Sequence, residues 1–242
     1  MMPTGVHYFP VTWPALVVLL FLFGAAAVIV IAGIVRFASA SMGIGAGSML
    51  AILLASFLGS SINIPIGYLP GHTATTATIV TFFGVPYVVP LVRQAPATLL
   101  AVNVGGAVIP AALSLYLILK NRLFSLSLVG VAIVAVVCHL LARPVPNLGI
   151  AEPVIIPPLI TAVVAVLLSR RYAAPLAYVS GSLGTLVGAD LLNLDKIQGL
   201  GAPIASIGGA GTFDGIFVTG LLAVVYAGLG MHTRAVSRPA GW

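Results

Sequence analysis

Residues 181–196 read G-S-L-G-T-L-V-G-A-D-L-L-N-L-D-K. After a Gly/Pro-rich connection, residues 206–226 read S-I-G-G-A-G-T-F-D-G-I-F-V-T-G-L-L-A-V-V-Y. Both are long apolar segments, rich in small residues and interrupted by carboxylates. The chain has four acidic residues, and three of them, Asp190, Asp195 and Asp214, fall in this stretch; the fourth is Glu152. A carboxylate in or beside hydrocarbon is costly, so acids placed here are the first candidates for function.

Outward from this stretch the chain is of the same kind. Of its 242 residues, 60% are hydrophobic and 6% charged, with a mean hydropathy of +1.21. So few charges cannot cover a water-facing surface, which excludes a soluble monomer and predicts an all-α polytopic membrane protein. At about 20 residues per crossing there is room for about seven transmembrane helices in a single domain. The net charge of +6 comes from ten Lys and Arg set singly or in pairs at the ends of apolar runs. That is a topology signal, not a patch for nucleic acid. The one cysteine, Cys138, excludes a disulfide framework or a cysteine-based metal motif within the chain.

The apolar runs predict spans at residues 11–37, 43–62, 97–119, 125–141, 154–169, 174–194 and 211–231. Trp13 opens the first as an interfacial anchor. The A-S-A at 38–40 resembles a cleavage site, but no basic segment precedes the apolar run, so a retained helix is expected. Residues 63–96 differ from the rest. They run N-I-P-I-G-Y-L-P-G-H, then T-A-T-T-A-T-I-V-T-F-F-G-V-P-Y-V-V-P-L-V-R. Repeated proline argues against a continuous helix, and the Thr, Val, Ile and Phe content favours an extended hairpin or a re-entrant excursion. A kinked eighth span is the alternative.

With seven spans, Arg36, Lys120, Arg122, Arg170, Arg171, Arg234 and Arg238 share one side, and Arg93, Arg143 and Lys196 the other. The positive-inside bias then predicts a cytoplasmic-membrane protein with its N-terminus outside and its C-terminus in the cytoplasm. All four acids fall on the outer side, with His139 and the hairpin carrying His72.

Each candidate has a plain structural role to set beside a functional one. Asp214 follows Thr212, a residue of N-cap type, and an acid in a first turn complements the helix dipole. Asp190 lies near a helix C-terminus, where a carboxylate opposes the dipole. Asp195 beside Lys196 reads as a wet loop pair, and Glu152 before Pro153 as either a loop acid or a ligand. Asn103 is either glue between helices or a ligand. Cys138 and His139 are adjacent on a helix and so point about 100° apart, which does not make a metal site. Phe82, Phe83 and Tyr87 read as packing or interfacial anchors. No metal and no cofactor are expected.

Three runs, N-V-G-G-A-V-I-P at 103–110, G-I-A-E-P-V-I-I-P-P at 149–158 and S-I-G-G-A-G-T-F-D-G at 206–215, set broken backbone beside apolar helices. In lipid this is tolerated only where protein or a water cavity satisfies the freed amides and carbonyls, and such segments build binding sites in transporters.

The runs V-S-G-S-L-G-T-L-V-G-A-D-L-L-N-L at 179–194 and I-G-G-A-G-T-F-D-G-I-F-V-T-G-L-L-A at 207–223, with 103–110 and the I-I-P-P at 155–158, resemble a family of bacterial and archaeal integral membrane proteins known as a domain of unknown function. The resemblance runs from about Asn63 onward and implies the multispan fold, without an activity. A looser similarity is to presenilin-like intramembrane aspartyl proteases, which would make Asp190 and Asp214 a catalytic dyad sharing one proton. This chain departs from that pattern: G-T-F precedes Asp214 where G-x-G is expected, no Pro-Ala-Leu follows, and no Tyr precedes Asp190.

Three functional classes follow. The leading expectation is binding or transport of a proton, cation or small polar solute at an outward-facing acidic site. Asp190, Asp214 and Glu152 would bind, with Asn103 and the backbone of Gly208, Gly209 and Gly211 assisting. The alternatives are the protease, and a structural or assembly subunit whose partners are other membrane subunits or further copies of the chain.

Overall fold

The computed structural model describes residues 13–71, 73–83, 85–94, 97–145, 149–197, 203–209 and 215–236. Helix α1 (Trp13–Met42) and α2 (Ala46–Gly59) come first. Strands β1 (Asn63–Leu69), β2 (Thr73–Phe82), β3 (Val85–Gln94) and β4 (Thr98–Asn103) follow. A π-helical turn, Val104–Val108, leads into α3 (Ile109–Asn121), and α4 (Phe124–Leu141) packs next. Strands β5 (Arg143–Val145) and β6 (Gly149–Ala151) precede α5 (Ile156–Leu168) and α6 (Ala173–Thr185). A second π turn, Leu186–Asp190, a 3-10 turn and the short α7 (Leu194–Ile197) lead to β7 (Ile204–Ile207) and α8 (Gly215–Val236).

Among the described residues seven helices of 13 residues or more overlap the predicted apolar runs, and three, Trp13–Met42, Val104–Asn121 and Phe124–Leu141, are long and apolar enough to cross a membrane. Proline falls in the first turn of α3 and of α5, where no intrahelical N–H bond is lost. From Trp13 to Ile34 no residue of α1 is buried; it joins the bundle through Val35, Ala38, Ser39 and Met42.

Helix α6 is the centre. Every residue of it except Leu183 is buried, and α3, α4, α5 and α8 surround it. Its small residues permit this, because a helix without bulky side chains lets neighbouring backbones approach closely. A Cβ on Gly181 would lie 3.1 Å from the Gly220 Cα of α8, and one on Gly184 2.6 Å from the Val134 side chain of α4.

The described residues between 63 and 94 are mostly strand, as the Pro and Thr content predicts. Strands β2 and β3 form a two-stranded antiparallel hairpin from Thr73–Gln94 to Phe82–Val85. The all-α expectation is incomplete beyond that hairpin. Residues 98–103, predicted as the start of a span, form β4, the middle strand of a three-stranded sheet ordered β1-β4-β7. Strand β1 runs antiparallel to β4 and β7 parallel to it. The pairing of β1 slips between Pro65 and Gly67, where proline has no N–H to give. Strands β5 and β6 pair antiparallel.

Candidate functional site

The sheet β1-β4-β7, the C-terminal ends of α4 and α6, residues 149–154 before α5 and the first turns of α8 gather at one end of the bundle. Asn103 organises the sheet. Its amide donates to the Ser60 carbonyl at 2.7 Å and to Asn63 Oδ1 at 3.0 Å, while its own oxygen accepts the Gly106 N–H at 2.8 Å. That last bond opens the first π turn. Ser206 of β7 donates to the same Asn63 oxygen, which ties the sequence-distant β7 to β1.

Asp190 closes the second π turn. A wider turn disturbs the regular hydrogen bonds of the helix, and such turns recur at functional sites. Here the buried Asn193 bonds back onto the turn, donating to the Gly188 carbonyl at 2.8 Å and the Ala189 carbonyl at 2.9 Å. Lys196 in turn donates to Asn193 Oδ1 at 2.7 Å, and Asp195 beside it is exposed. The Asp190 carboxylate accepts the Gly208 N–H at 2.7 Å. Gly208 and Gly209 both hold φ near +90°, a conformation that side chains disfavour.

Glu152 follows β6 and precedes α5. Its Oε1 is buried with no hydrogen-bond partner among the described residues. The Cys138 thiol neighbours the carboxyl and lies 3.5 Å from Thr185 Oγ1. Burial is the main cause that pushes the Glu152 carboxyl up to about 7; the neighbouring Cys138 thiol pulls it down, and the nearby Asp190 charge pushes it further up.

Glu152 and Asp190 line one cavity of about 280 Å³, with Thr185, Ser206, Gly209 and Thr219 among its other walls. Of the residues singled out in the sequence, Glu152, Asp190 and Gly209 face this cavity and Gly208 holds Asp190. Asn103 is not among the lining residues; it supports the site through the sheet. Asp214, Gly211 and His72 lie outside the described residues, so the Asp190–Asp214 pair has no geometry to report. His139 sits in the last turn of α4 with a buried Nδ1 that has no partner among the described residues. Among the described residues no cluster of three His, Cys, Asp or Glu is arranged to hold a metal.

Thr185 and Thr219 were not singled out in the sequence, and Cys138 was weighed there only as a metal ligand beside His139, not as a neighbour of Glu152. A hydroxyl or thiol within an apolar run is ordinarily packing, and the signal available for Thr185 was its place one and a half turns before Asp190.

A mostly helical chain with helices of membrane-spanning length, closing at one end around a cavity lined by two of its four acids, is the class of protein defined here. The chain belongs to the family described as Protein of unknown function (DUF1614), whose model matches residues 57–226. That range takes in Asn103, Glu152, Asp190 and the strands that assemble around them. No curated protein and no solved structure matches it.

Proposed function

We propose that this is a multi-pass protein of the cytoplasmic membrane that binds, and passes on, a proton, cation or small polar solute at an acidic site opening to the outside. One observation carries the reading. A carboxyl oxygen of Glu152 is buried, with no partner among the described residues, beside a cavity that Asp190 also lines. An uncompensated acid of this kind is costly to fold, and a proton or a cation is what satisfies it. Two carboxyls near one cavity disfavour being ionised together, so a proton taken up by one, or a cation held between them, relieves the repulsion.

The orientation rests on charge. The basic residues near the far ends of the helices, Arg36, Lys120, Arg122, Arg170 and Arg171, stand opposite the acid cavity along the helix axes, and positive-inside bias makes theirs the cytoplasmic end. The bilayer is then the main partner, and seven helices, α1 to α6 and α8, make the crossings.

The test is an infrared titration of the full chain in detergent. A protonated-carboxyl C=O band that disappears near neutral pH, and that is missing in Glu152→Gln, supports the site. A wild-type spectrum with no such band removes the basis for the reading.

A further inference from the structure

The face of the bundle between α5 and α8 is open. A groove of about 700 Å³ runs there from Leu159, near the start of α5, to Ser169 and Arg170 just beyond its end. Ala162 and Val166 of α5 and Ala227 of α8 give it a floor of short side chains, and Tyr226 stands beside them. Val163 and Leu167 also line it and are 58% and 80% exposed. Its rim therefore faces outward from the bundle, toward hydrocarbon where the helices cross a bilayer.

The groove has a depth and two unlike ends. From Leu159 to Leu168 α5 rises about 14 Å, roughly half of a hydrocarbon core about 30 Å thick, which is the depth of one leaflet. A Cβ on Gly181 of α6 would lie 3.3 Å from Thr161 Cγ2 of α5 and 3.1 Å from the Gly220 Cα of α8, so Thr161 and Gly220 stand level. Both helices start at the acid end. Tyr226, six residues beyond Gly220, is then level with Leu167, six beyond Thr161, and about one turn short of Arg170. Arg170 and Arg171 are both exposed at this mouth. The described carboxylates, Glu152, Asp190 and Asp195, belong to the other end of the bundle, so none of them neutralises the arginine pair.

We propose that the groove holds one anionic glycerophospholipid of the leaflet at the basic end, with an acyl chain along Ala162, Val166 and Ala227 and the phosphate at Arg170 and Arg171. Three features select this occupant. Apolar walls over the depth of one leaflet suit an acyl chain. Two arginines at the mouth suit an anionic headgroup, because a guanidinium pairs two of its N–H groups with phosphate oxygens, and basic pockets between helices at the cytoplasmic side take such headgroups. Tyr226, with an apolar ring and a polar hydroxyl, suits the level where chains meet headgroups. A second copy of the chain is the poorer occupant, since a two-fold pairing through this face sets the arginine pairs of both copies at one level. The proposal takes from the preceding reading only that α5 and α8 cross a bilayer, and needs nothing of Glu152 or Asp190.

The experiment is native mass spectrometry of the full chain in detergent, with phosphatidylglycerol and phosphatidylcholine of the same acyl chains added in equal amounts. Wild-type protein is expected to retain one phosphatidylglycerol, several-fold in preference to phosphatidylcholine. The double variant Arg170→Gln/Arg171→Gln is expected to lose the preference, and Arg170→Lys/Arg171→Lys to keep most of it. Lys120→Gln/Arg122→Gln removes two basic residues of the same end outside the groove and is expected to bind as wild type. Val166→Phe, which sets a ring on the floor, is expected to weaken retention of both lipids, and unfolding midpoints check that each variant is folded. Equal retention of the two lipids by wild type overturns the proposal, as does full preference in the folded Gln pair or full retention by folded Val166→Phe. A loss as large in Lys120→Gln/Arg122→Gln would assign the preference to the charge of the whole end and overturn it too. A dimer that takes the place of the lipid-bound species, and that Val166→Phe abolishes, would give the groove to a second copy. None of these outcomes touches the acid site, which the infrared titration of Glu152 decides separately.

Discussion

The Asp190 carboxylate accepts the Gly208 N–H at 2.7 Å and so ties the end of α6 to the glycine turn that follows β7. Strand β7 pairs with β4, and β4 runs directly into the first π turn, so this one bond links the central helix to the sheet. Asp190→Ala leaves a part-buried amide without its acceptor and is expected to cost about 1–3 kcal/mol. Asp190→Asn keeps an oxygen acceptor and is expected to cost less. Thermal unfolding in detergent ranks the two; equal losses would mean that the charge, and not the hydrogen bond, is what matters.

Glu152 makes stability depend on pH in a definite direction. Its carboxyl is held up to about 7 in the folded chain against an ordinary 4.5, chiefly by burial. Between those values the folded protein keeps a proton that the unfolded chain has released, so stability present below pH 4.5 is lost as pH rises through 7. The loss is on the order of 3 kcal/mol as an upper bound. Glu152→Gln is expected to flatten this part of the profile and to be the more stable protein at about pH 8, above the folded-state value. An unchanged slope in the variant would assign the dependence to other groups.

Helix positions were legible because a run of apolar residues of helix length has few other uses, and the hairpin was legible because Pro and Thr together exclude a long helix. Strand β4 was not. T-L-L-A-V-N is apolar whether it forms a strand or a helical turn, and its partners β1 and β7 lie about 35 and 100 residues away, beyond any local pattern. The site was legible in part. Counting spans puts Glu152 and Asp190 at the same end of the bundle, but which acid faces which cavity depends on the π turn at 186–190, and nothing in L-V-G-A-D distinguishes a π turn from an α turn. The contact of Cys138 with Glu152 and Thr185 was hidden for a different reason: a lone cysteine in an apolar run looks the same wherever it points.

Two glycines carry the packing around the π turns. A Cβ on Gly188 would run into the Ala135 backbone carbonyl of α4, and one on Gly105 into the Ser56 carbonyl and the Ser60 amide after α2. Backbone atoms cannot swing aside as a flexible side chain can, so Gly188→Ala and Gly105→Ala are each expected to cost about 1–3 kcal/mol or more. Gly33, exposed in α1 with nothing within 4 Å of such a Cβ, is the control. Gly33→Ala is expected to be neutral or to stabilise by up to about 1 kcal/mol, since Ala is the better helix former. Unfolding midpoints of the three variants test this; a mild Gly188→Ala would mean that α4 and α6 can separate at little cost.

Cys138 is fully buried, with its sulfur against Thr185 and Glu152. Thiol reagents act on the exposed thiolate, so the folded chain is expected to react with a maleimide only after denaturant is added. Prompt labelling of native protein, measured by mass, would show that solvent reaches past Glu152 to the end of α4.

That silence makes Cys138 compatible with a topology measurement in the otherwise unaltered chain. Asp195 is exposed in α7, just beyond Asp190 and on the same end of the bundle as the acid cavity. Arg171 is exposed between α5 and α6, at the opposite end. If the positive-inside bias sets the orientation, a membrane-impermeant maleimide added to intact cells is expected to label Asp195→Cys, and Arg171→Cys only after permeabilisation. The reverse pattern would turn the acid cavity toward the cytoplasm. The positive-inside argument, which rests on seven basic residues against three, would then have failed for this chain.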